Sequence, residues 1–126
     1  MKIVGIGIDI VETVRIAASI ERHGGHFLDR VFTKDEQEYC DRMRIPFPNY
    51  AARFAAKEAV SKAFGTGIGD GVSWLDIEVQ RKASGEPFIV LHAGAADLAQ
   101  RLGISTVMLT LSHSDHYAVA NAIALG

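Results

Sequence analysis

An alanine-rich helix places the strongest constraint on how this chain can fold. Residues 51–64 are AARFAAKEAVSKAF, and a helical wheel gathers the small or apolar side chains on one half: Ala55, Ala56, Ala59, Val60, Ala63 and Phe64. Side chains this small let a helix pack closely on another helix or on a sheet. The N-terminal run KIVGIGIDIV is predicted to be a buried strand. Its glycines at positions 5 and 7 indicate either a close backbone neighbour or a bend.

The other half of the wheel is polar and allows two interpretations. It carries Lys57, Ser61, Phe54, Glu58 and Lys62, of which Phe54, Glu58 and Lys62 form one stripe at i, i+4 and i+8. Glu58 and Lys62 are either an ordinary surface ion pair or part of a ligand site. The following GTGIG either caps the helix or brings backbone amides to a phosphate, but it lacks the Gly-Lys-Ser/Thr ending of a P-loop.

The remaining patterns predict an α+β fold with an antiparallel sheet in a single domain of residues 1–126. Thr33 and Glu36 have the spacing of a capping box and predict a helix start, whereas IPFPNY at 45–50 predicts a loop. FLDRVF at 27–32 is interpreted only as a short apolar continuation of the chain after the helix predicted over 12–23. We predict helices over 12–23, 33–43, 51–64 and 93–103, and strands over 2–11, 72–80, 88–92, 105–113 and 116–125.

Charge and composition exclude several classes of protein. A net charge of −2 disfavours a protein that coats nucleic acid. The single cysteine, Cys40, can form no internal disulfide, excludes a zinc site built on several cysteines, and fits a reducing compartment. Its acidic helix predicts a raised thiol pKa. No apolar stretch reaches 18 residues, and no signal-peptide core precedes Asp9, so we expect neither a membrane span nor secretion.

Basic residues are concentrated between positions 42 and 62. Arg42, Arg44, Arg53, Lys57 and Lys62 stand there against one acid, Glu58. Such a patch would meet an anionic ligand or an acidic protein, or it is simply a solvated face.

Asp9 is an acid inside an apolar strand, where a charge is costly unless it is solvated at the strand end, paired or bound to a metal. Asp9 and Glu58 together could hold Mg²⁺, which uses one or two carboxylates plus phosphate oxygens. Glu12 is a competing ligand. The spacing of His113 and His116 does not fit a zinc protease, whereas Ser112 and His113 at a strand end could lie beside a ligand.

Four separated stretches together resemble one enzyme family. GIGIDIVE (5–12), RVFTKDE (30–36), RFAAKEAVSKAFGTGI (53–68) and LSHSDHYAVA (111–120) are similar in order and spacing to the holo-acyl-carrier-protein synthases, the small bacterial phosphopantetheinyl transferases. The resemblance implies the 4′-phosphopantetheinyl transferase fold. It also implies Mg²⁺-dependent transfer of 4′-phosphopantetheine from coenzyme A to a serine of apo-acyl carrier protein, with release of 3′,5′-ADP. A cytoplasmic homotrimer with sites between subunits is expected, without nucleic-acid or membrane partners.

The resemblance also assigns residues. It implies that Asp9 and Glu58 bind the metal, and that Asp9, Glu58 and Lys62 are the catalytic residues. It implies contacts to coenzyme A from Arg53, Phe54, Lys62, Gly65, Ser112 and His113, and contacts to the carrier from Arg15, Arg22 and Arg30. For the serine proton, Glu58 acting through a metal-bound water is the first candidate and Asp9 the second.

Two departures from the family pattern remove no chemical group: Ile8 stands where threonine is common, and Ala52 stands where glycine is frequent. They leave open whether the carrier serves fatty acid, polyketide or peptide synthesis. A noncatalytic coenzyme A-binding module and a structural oligomer are the remaining alternatives.

Overall fold

The computed structural model describes residues 1–126 and contains five α-helices and five β-strands. In chain order these are β1 (Ile3–Glu12), α1 (Thr13–His23), α2 (Gly25–Val31), α3 (Lys34–Asp41), α4 (Phe47–Ala63), a 3₁₀ turn (Trp74–Asp76), β2 (Ile77–Arg81), β3 (Pro87–Leu91), α5 (Ala93–Arg101), β4 (Thr106–His113) and β5 (Tyr117–Leu125). None of the helices has the length and apolar character needed to cross a bilayer.

The strands form two antiparallel sheets, which confirms the predicted α+β class. The larger sheet has the order β1-β5-β4, and β2 and β3 form a separate hairpin. Ile10 faces Val119, and Val119 faces Ser112 across the second ladder. Because side chains alternate along a strand, the sheet has an inner face that packs on α4 and an outer face that carries Ile6, Ile8, Ile10, Met108 and Ser112.

Helix α4 lies directly on the backbone of β1. A Cβ atom added to Gly7 would lie 2.0 Å from the carbonyl oxygen of Ala59, and one added to Gly5 would lie 1.9 Å from that of Ala63. The two glycines therefore mark a close backbone approach, the first of the two interpretations of the strand sequence. On β5 the inner face is also alanine, at Ala118, Ala120, Ala122 and Ala124, all buried.

Three element boundaries differ from the predictions. The segment 45–50 is not wholly a loop, because α4 begins at Phe47 and its first turn accommodates Pro48, whose missing N–H needs no partner there. Within 72–80 the strand begins only at Ile77, after the 3₁₀ turn. The apolar continuation after Gly24 is a helix, α2. The Thr33–Glu36 capping box is confirmed.

The helical wheel was wrong for Lys57 and Ser61, which are both buried. The Lys57 ammonium donates to Glu36 Oε1 at 2.9 Å, and neither side chain is exposed. Ser61 Oγ donates to the Glu58 carbonyl at 2.7 Å. A wheel records only the period of one helix, so it cannot reveal a buried partner on α3. Since Arg53 is buried as well, the basic cluster predicted around 42–62 is not one surface patch.

The Cys40 thiol is buried in the core between α3 and α4. Burial raises its pKa to about 12, with the guanidinium of Arg53 opposing the shift and the nearby acids Glu36 and Asp41 adding to it. The predicted direction is correct, but its main cause is desolvation and not the acidic helix.

We expect Gly7→Ala to destabilise the protein strongly, because the new methyl group would collide with backbone that cannot rotate away. The loss should be at least roughly 1–3 kcal/mol, measured by urea unfolding. Gly25→Ala is the matched control, since its Cβ would meet only Asp29 Oδ2 at 3.9 Å. Equal stability of the two variants would contradict the close approach.

Candidate active site

Asp9 and Glu58 line the same cleft, although they are 49 positions apart. Asp9 lies on the inner face of β1, two residues after Gly7, and Glu58 precedes Ala59 on α4. The cleft has a volume of about 350 Å³ and is lined by both carboxylates together with Arg15, Ser19, Phe27 and Phe54. The close packing of α4 on β1 therefore brings the two predicted metal ligands together.

Lys62 interacts with Asp9 and not with Glu58. Its ammonium donates to Asp9 Oδ1 at 3.0 Å and to the carbonyl oxygen of Ile8 at 3.1 Å. The Lys62 side chain is half exposed, whereas that of Asp9 is mostly buried. The ordinary i,i+4 surface pair between Glu58 and Lys62 is thus not formed, and the ammonium lies at the strand, beside the cleft.

The negative charge of the Glu58 carboxylate is less well compensated by a neighbouring cation than that of Asp9. Burial raises its pKa, the charge of Asp9 raises it further, and the Lys62 ammonium only partly opposes them. Two carboxylates that share one cleft with a single nearby ammonium are a donor set suited to a hard divalent cation such as Mg²⁺. Glu12, the competing ligand, lies on the opposite face of β1 and does not line this cleft.

Phe54 lines the cleft and contacts a second aromatic ring, which does not itself line the cleft. The Phe54 ring stacks on the Trp74 indole with centroids 4.7 Å apart and planes inclined by 29°. Sequence reasoning identified Phe54 but missed Trp74, Phe27 and Ser19. A signal was available for Ser19, because it follows Arg15 by four residues on α1 and so shares its face. Nothing in the sequence indicated that Trp74 would return to Phe54.

Arg53 does not enter this cleft, although it precedes Phe54. Its guanidinium is buried with its Cζ 4.1 Å from the Tyr39 ring centroid, and the guanidinium groups of Arg42 and Arg81 also lie near this ring, at 5.8 and 5.5 Å. Arg53 Nε and Nη1 have no hydrogen-bond partner. Both atoms are buried, so a ligand in solvent does not reach them in this structure.

Ser112 and His113 are not brought to the carboxylates within one chain. Both lie on β4, which is separated from β1 by the whole of β5, a distance of roughly 10 Å in strand spacings. Ser112 also lies on the outer face, whereas Asp9 lies on the inner one. Gly65 is close in sequence to Lys62, directly after the C-cap of α4, with a positive φ of 84°.

The three arginines predicted to contact a partner are all exposed. Arg15 on α1 lines the mouth of the cleft, close to both carboxylates. Arg22 lies in the last turn of α1, and Arg30 lies in the last turn of α2. These helices follow β1 directly, so the basic side chains and the carboxylates belong to one end of the molecule.

Comparison with known proteins identifies the family of this chain. The family model of the 4′-phosphopantetheinyl transferase superfamily (ACPS) matches residues 5–122. The holo-[acyl-carrier-protein] synthase of Koribacter versatilis is 50% identical over 121 residues, which are 96% of this chain and 97% of that protein.

Two solved structures are similar over nearly the whole chain. The holo-[acyl-carrier-protein] synthase of Neisseria meningitidis has a TM-score of 0.92 at 34% identity, covering 99% of this chain and 100% of that one. The Helicobacter pylori synthase in complex with coenzyme A has a TM-score of 0.85 at 32% identity, covering 95% and 99%. The chain therefore belongs to the 4′-phosphopantetheinyl transferase superfamily and, within it, to the holo-[acyl-carrier-protein] synthases.

Proposed function

We propose that this enzyme transfers 4′-phosphopantetheine from coenzyme A to a serine hydroxyl of apo-acyl carrier protein, with Mg²⁺, in the cytoplasm. The products are 3′,5′-ADP and the holo-carrier used in fatty acid biosynthesis. The observation that carries this proposal is the shared cleft of Asp9 and Glu58, with the Lys62 ammonium 3.0 Å from Asp9. This arrangement provides the metal ligands, a proton acceptor and a cation that attack on a pyrophosphate requires.

Asp9 and Glu58 would hold the Mg²⁺ ion, which supplies charge neutralisation on the pyrophosphate when it is bound. The serine oxygen forms a bond to phosphorus as the bond from phosphorus to the 3′,5′-ADP oxygen breaks. Glu58 accepts the serine proton, and Asp9, the other carboxylate of the cleft, is the second candidate for this role. The Lys62 ammonium binds the departing phosphate and donates a proton to it.

Coenzyme A would extend along the C-terminal half of α4. Lys62 and Gly65 would contact its phosphates, and Phe54, which lines the cleft, would border its reacting end. Arg53 would border the coenzyme A site only through its neighbour Phe54, because its own guanidinium is buried against Tyr39. Ser112 and His113 would reach the nucleotide of a neighbouring subunit, because they lie on β4, away from the cleft of their own chain.

A homotrimer with sites between subunits is part of the proposal. The outer face of the sheet exposes Ile6 (68%), Ile8 (61%), Ile10 (65%) and Met108 (56%), an apolar surface that a monomer would leave in water. Covering this face with another chain would also bring a second chain close to Ser112, which lies on it. In light scattering, the assembled enzyme should have three times the 13.6 kDa mass of the chain.

We expect wild-type protein to raise the mass of apo-acyl carrier protein by roughly 340 Da, the mass of the attached phosphopantetheine. The measurement is mass spectrometry after incubation with coenzyme A and Mg²⁺. Glu58→Gln should lower kcat at least about 100-fold, because it removes the proton acceptor and one metal ligand. Glu38→Gln, an exposed acid on α3, is the matched control and should remain active.

Each other outcome of the mass measurement identifies an alternative. Binding of coenzyme A without any mass gain would indicate a noncatalytic module, and neither binding nor gain would indicate a structural oligomer. If a purified polyketide or peptide carrier is modified faster than the fatty-acid carrier, that carrier is the preferred substrate. Near-wild-type transfer by Glu58→Gln would overturn the assigned role of Glu58.

The raised pKa of Glu58 predicts a stability effect that depends on pH. Between its ordinary value of 4.5 and the raised value, the folded chain binds more protons than the unfolded chain, so stability falls as pH rises. Above that window the charged Glu58 carboxylate destabilises the folded wild-type chain, whereas the neutral amide of the Glu58→Gln variant causes no such destabilisation. We expect Glu58→Gln to have a higher Tm than wild type at pH 8 without Mg²⁺, with no difference at pH 4.

Thermal unfolding with and without Mg²⁺ completes this test. Mg²⁺ should raise the Tm of wild type and of Glu38→Gln, but not that of Glu58→Gln, since a ligand stabilises only the state that binds it. Equal stabilisation of all three proteins would mean that the ion binds elsewhere. A lower Tm of Glu58→Gln at pH 8 would contradict the electrostatic penalty.

Reversing the charge of Arg15 should weaken carrier binding, because acyl carrier proteins would approach this end of the enzyme through complementary charge. We expect Arg15→Glu to raise the KM for the carrier at least about tenfold and to leave the KM for coenzyme A nearly unchanged. The wild-type KM for the carrier should rise with salt. Arg101→Glu on α5, away from the cleft, is the control, and an equal rise in both KM values for Arg15→Glu would contradict the docking surface.

A further inference from the structure

Lys57 is a fully buried cation whose donors are all used. Its ammonium donates to Glu36 Oε1 at 2.9 Å, to the carbonyl oxygen of Trp74 at 3.0 Å and to that of Ile77 at 2.5 Å. An ammonium has three N–H groups, so these three acceptors satisfy it completely. The side chain next to the catalytic Glu58 therefore points away from the cleft and into the chain that follows α4.

The Glu36 carboxylate ties this ammonium to two further elements. Its Oε1 accepts from the backbone N–H of Thr33 at 2.9 Å, and its Oε2 accepts from that of Val79 at 2.9 Å. A buried ion pair is costly to desolvate, and an apolar side chain of similar size often stabilises a core equally well. Stability alone therefore does not explain why an ion pair occupies this position.

The segment before Trp74 provides little conformational constraint of its own. Between the end of α4 and the 3₁₀ turn, four glycines have positive φ angles: Gly65, Gly67, Gly69 and Gly71. Glycine loses more conformational freedom on folding than any other residue, so this connection gains its order from contacts made elsewhere. At Trp74 the backbone contact that reaches α4 is the bond from Lys57.

The position of Trp74 affects the cleft directly. Its indole stacks on Phe54 at 4.7 Å, and Phe54 lines the cleft together with Glu58. Lys57 thus holds the backbone of a residue whose side chain supports the wall beside the carboxylates. A shift of the 3₁₀ turn would release Phe54 from its stacking partner and widen the cleft on that side.

We propose that Lys57 is a positioning residue, which fixes the Trp74 carbonyl and thereby the Phe54–Trp74 wall against which the phosphopantetheine end of the substrate is aligned with Glu58. The kinetic part of this proposal rests on the proposed function. The phosphate contacts of Lys62 and Gly65 do not involve Lys57. Loss of Lys57 therefore lowers kcat through misalignment and leaves the KM for coenzyme A nearly unchanged.

The test uses the intrinsic fluorescence of Trp74, the single tryptophan of the chain. Lys57→Met fills a similar volume and removes the bond to the carbonyl. Its emission should shift to the red and be quenched more strongly by acrylamide, because the indole leaves Phe54. Its kcat should fall at least about tenfold, with the KM for coenzyme A changing less than about threefold. Lys82→Met, at the exposed ion pair with Glu86, is the matched control and should change neither quantity.

A double-mutant cycle separates positioning from a merely structural effect. Trp74→Ala should lower kcat to a similar extent, and Lys57→Met combined with Trp74→Ala should cost little more than either change alone, because both act through the same wall. Losses that multiply would overturn the proposal. So would unchanged emission together with wild-type kcat in Lys57→Met.

Lys57→Met leaves the Glu36 charge buried without its partner and can therefore prevent folding. The pair Glu36→Gln with Lys57→Met removes both charges and still lacks the bond to Trp74, and its folding is checked by far-UV circular dichroism. Glu36→Gln alone is its control, because the glutamine oxygen replaces only one of the two acceptors of Glu36 and Lys57 keeps its bond to the Trp74 carbonyl, so wild-type emission is expected in it. The same emission shift as in Lys57→Met is expected in the double variant, and wild-type emission there would overturn the proposal.

The fluorescence measurement does not require enzymatic activity. Absence of transfer by the wild-type protein would therefore refute the proposed function, whereas the emission spectra would still test whether Lys57 positions Trp74.

Discussion

The contact between the backbone of β1 and the backbone of α4 determines most of this structure. Gly7 admits the Ala59 carbonyl and Gly5 admits that of Ala63, at distances that leave no room for a side chain. Asp9 is the next inner-face residue after Gly7, and Glu58 adjoins Ala59. The same contact that packs the core therefore sets the distance between the two carboxylates, so fold and site depend on one interaction.

Helix α4 serves two purposes with neighbouring residues. Ala55, Ala56 and Ala59 pack in the larger hydrophobic cluster, whereas Ala51 and Ala52 pack with α1 and α3 in the smaller one. Its charged residues are divided similarly, because Glu58 lies at the cleft and Lys57 lies in the core. The two adjacent residues of the prominent Lys-Glu pair therefore make separate contacts, and Lys57 is connected to the cleft only through the Trp74 carbonyl.

The outer face of the sheet connects the fold to the proposed assembly. Along β1 the isoleucines alternate with Gly5, Gly7 and Asp9. The strand therefore has an inner face that packs on the alanines of α4 and an apolar outer face. A second chain on the outer face would bury these isoleucines and would approach Ser112. This arrangement explains how residues that one chain keeps on opposite faces of a sheet could serve a common substrate.

The α+β class, the antiparallel strands and the capping box at Thr33 could be predicted from the amino-acid sequence, and the family resemblance added the pairing of Asp9 with Glu58. The class, the strands and the capping box depend on local period, on turn chemistry and on glycine, which act over a few residues, whereas the pairing of Asp9 with Glu58 was selected over its alternatives by the resemblance alone. The three-dimensional structure was needed to show that Lys57 and Ser61 are buried, that Lys62 bonds to Asp9, and that Trp74 stacks on Phe54. Each of these facts depends on a partner distant in the chain or on a neighbouring element, and the hydrophobic pattern of a single helix contains no information about such a partner.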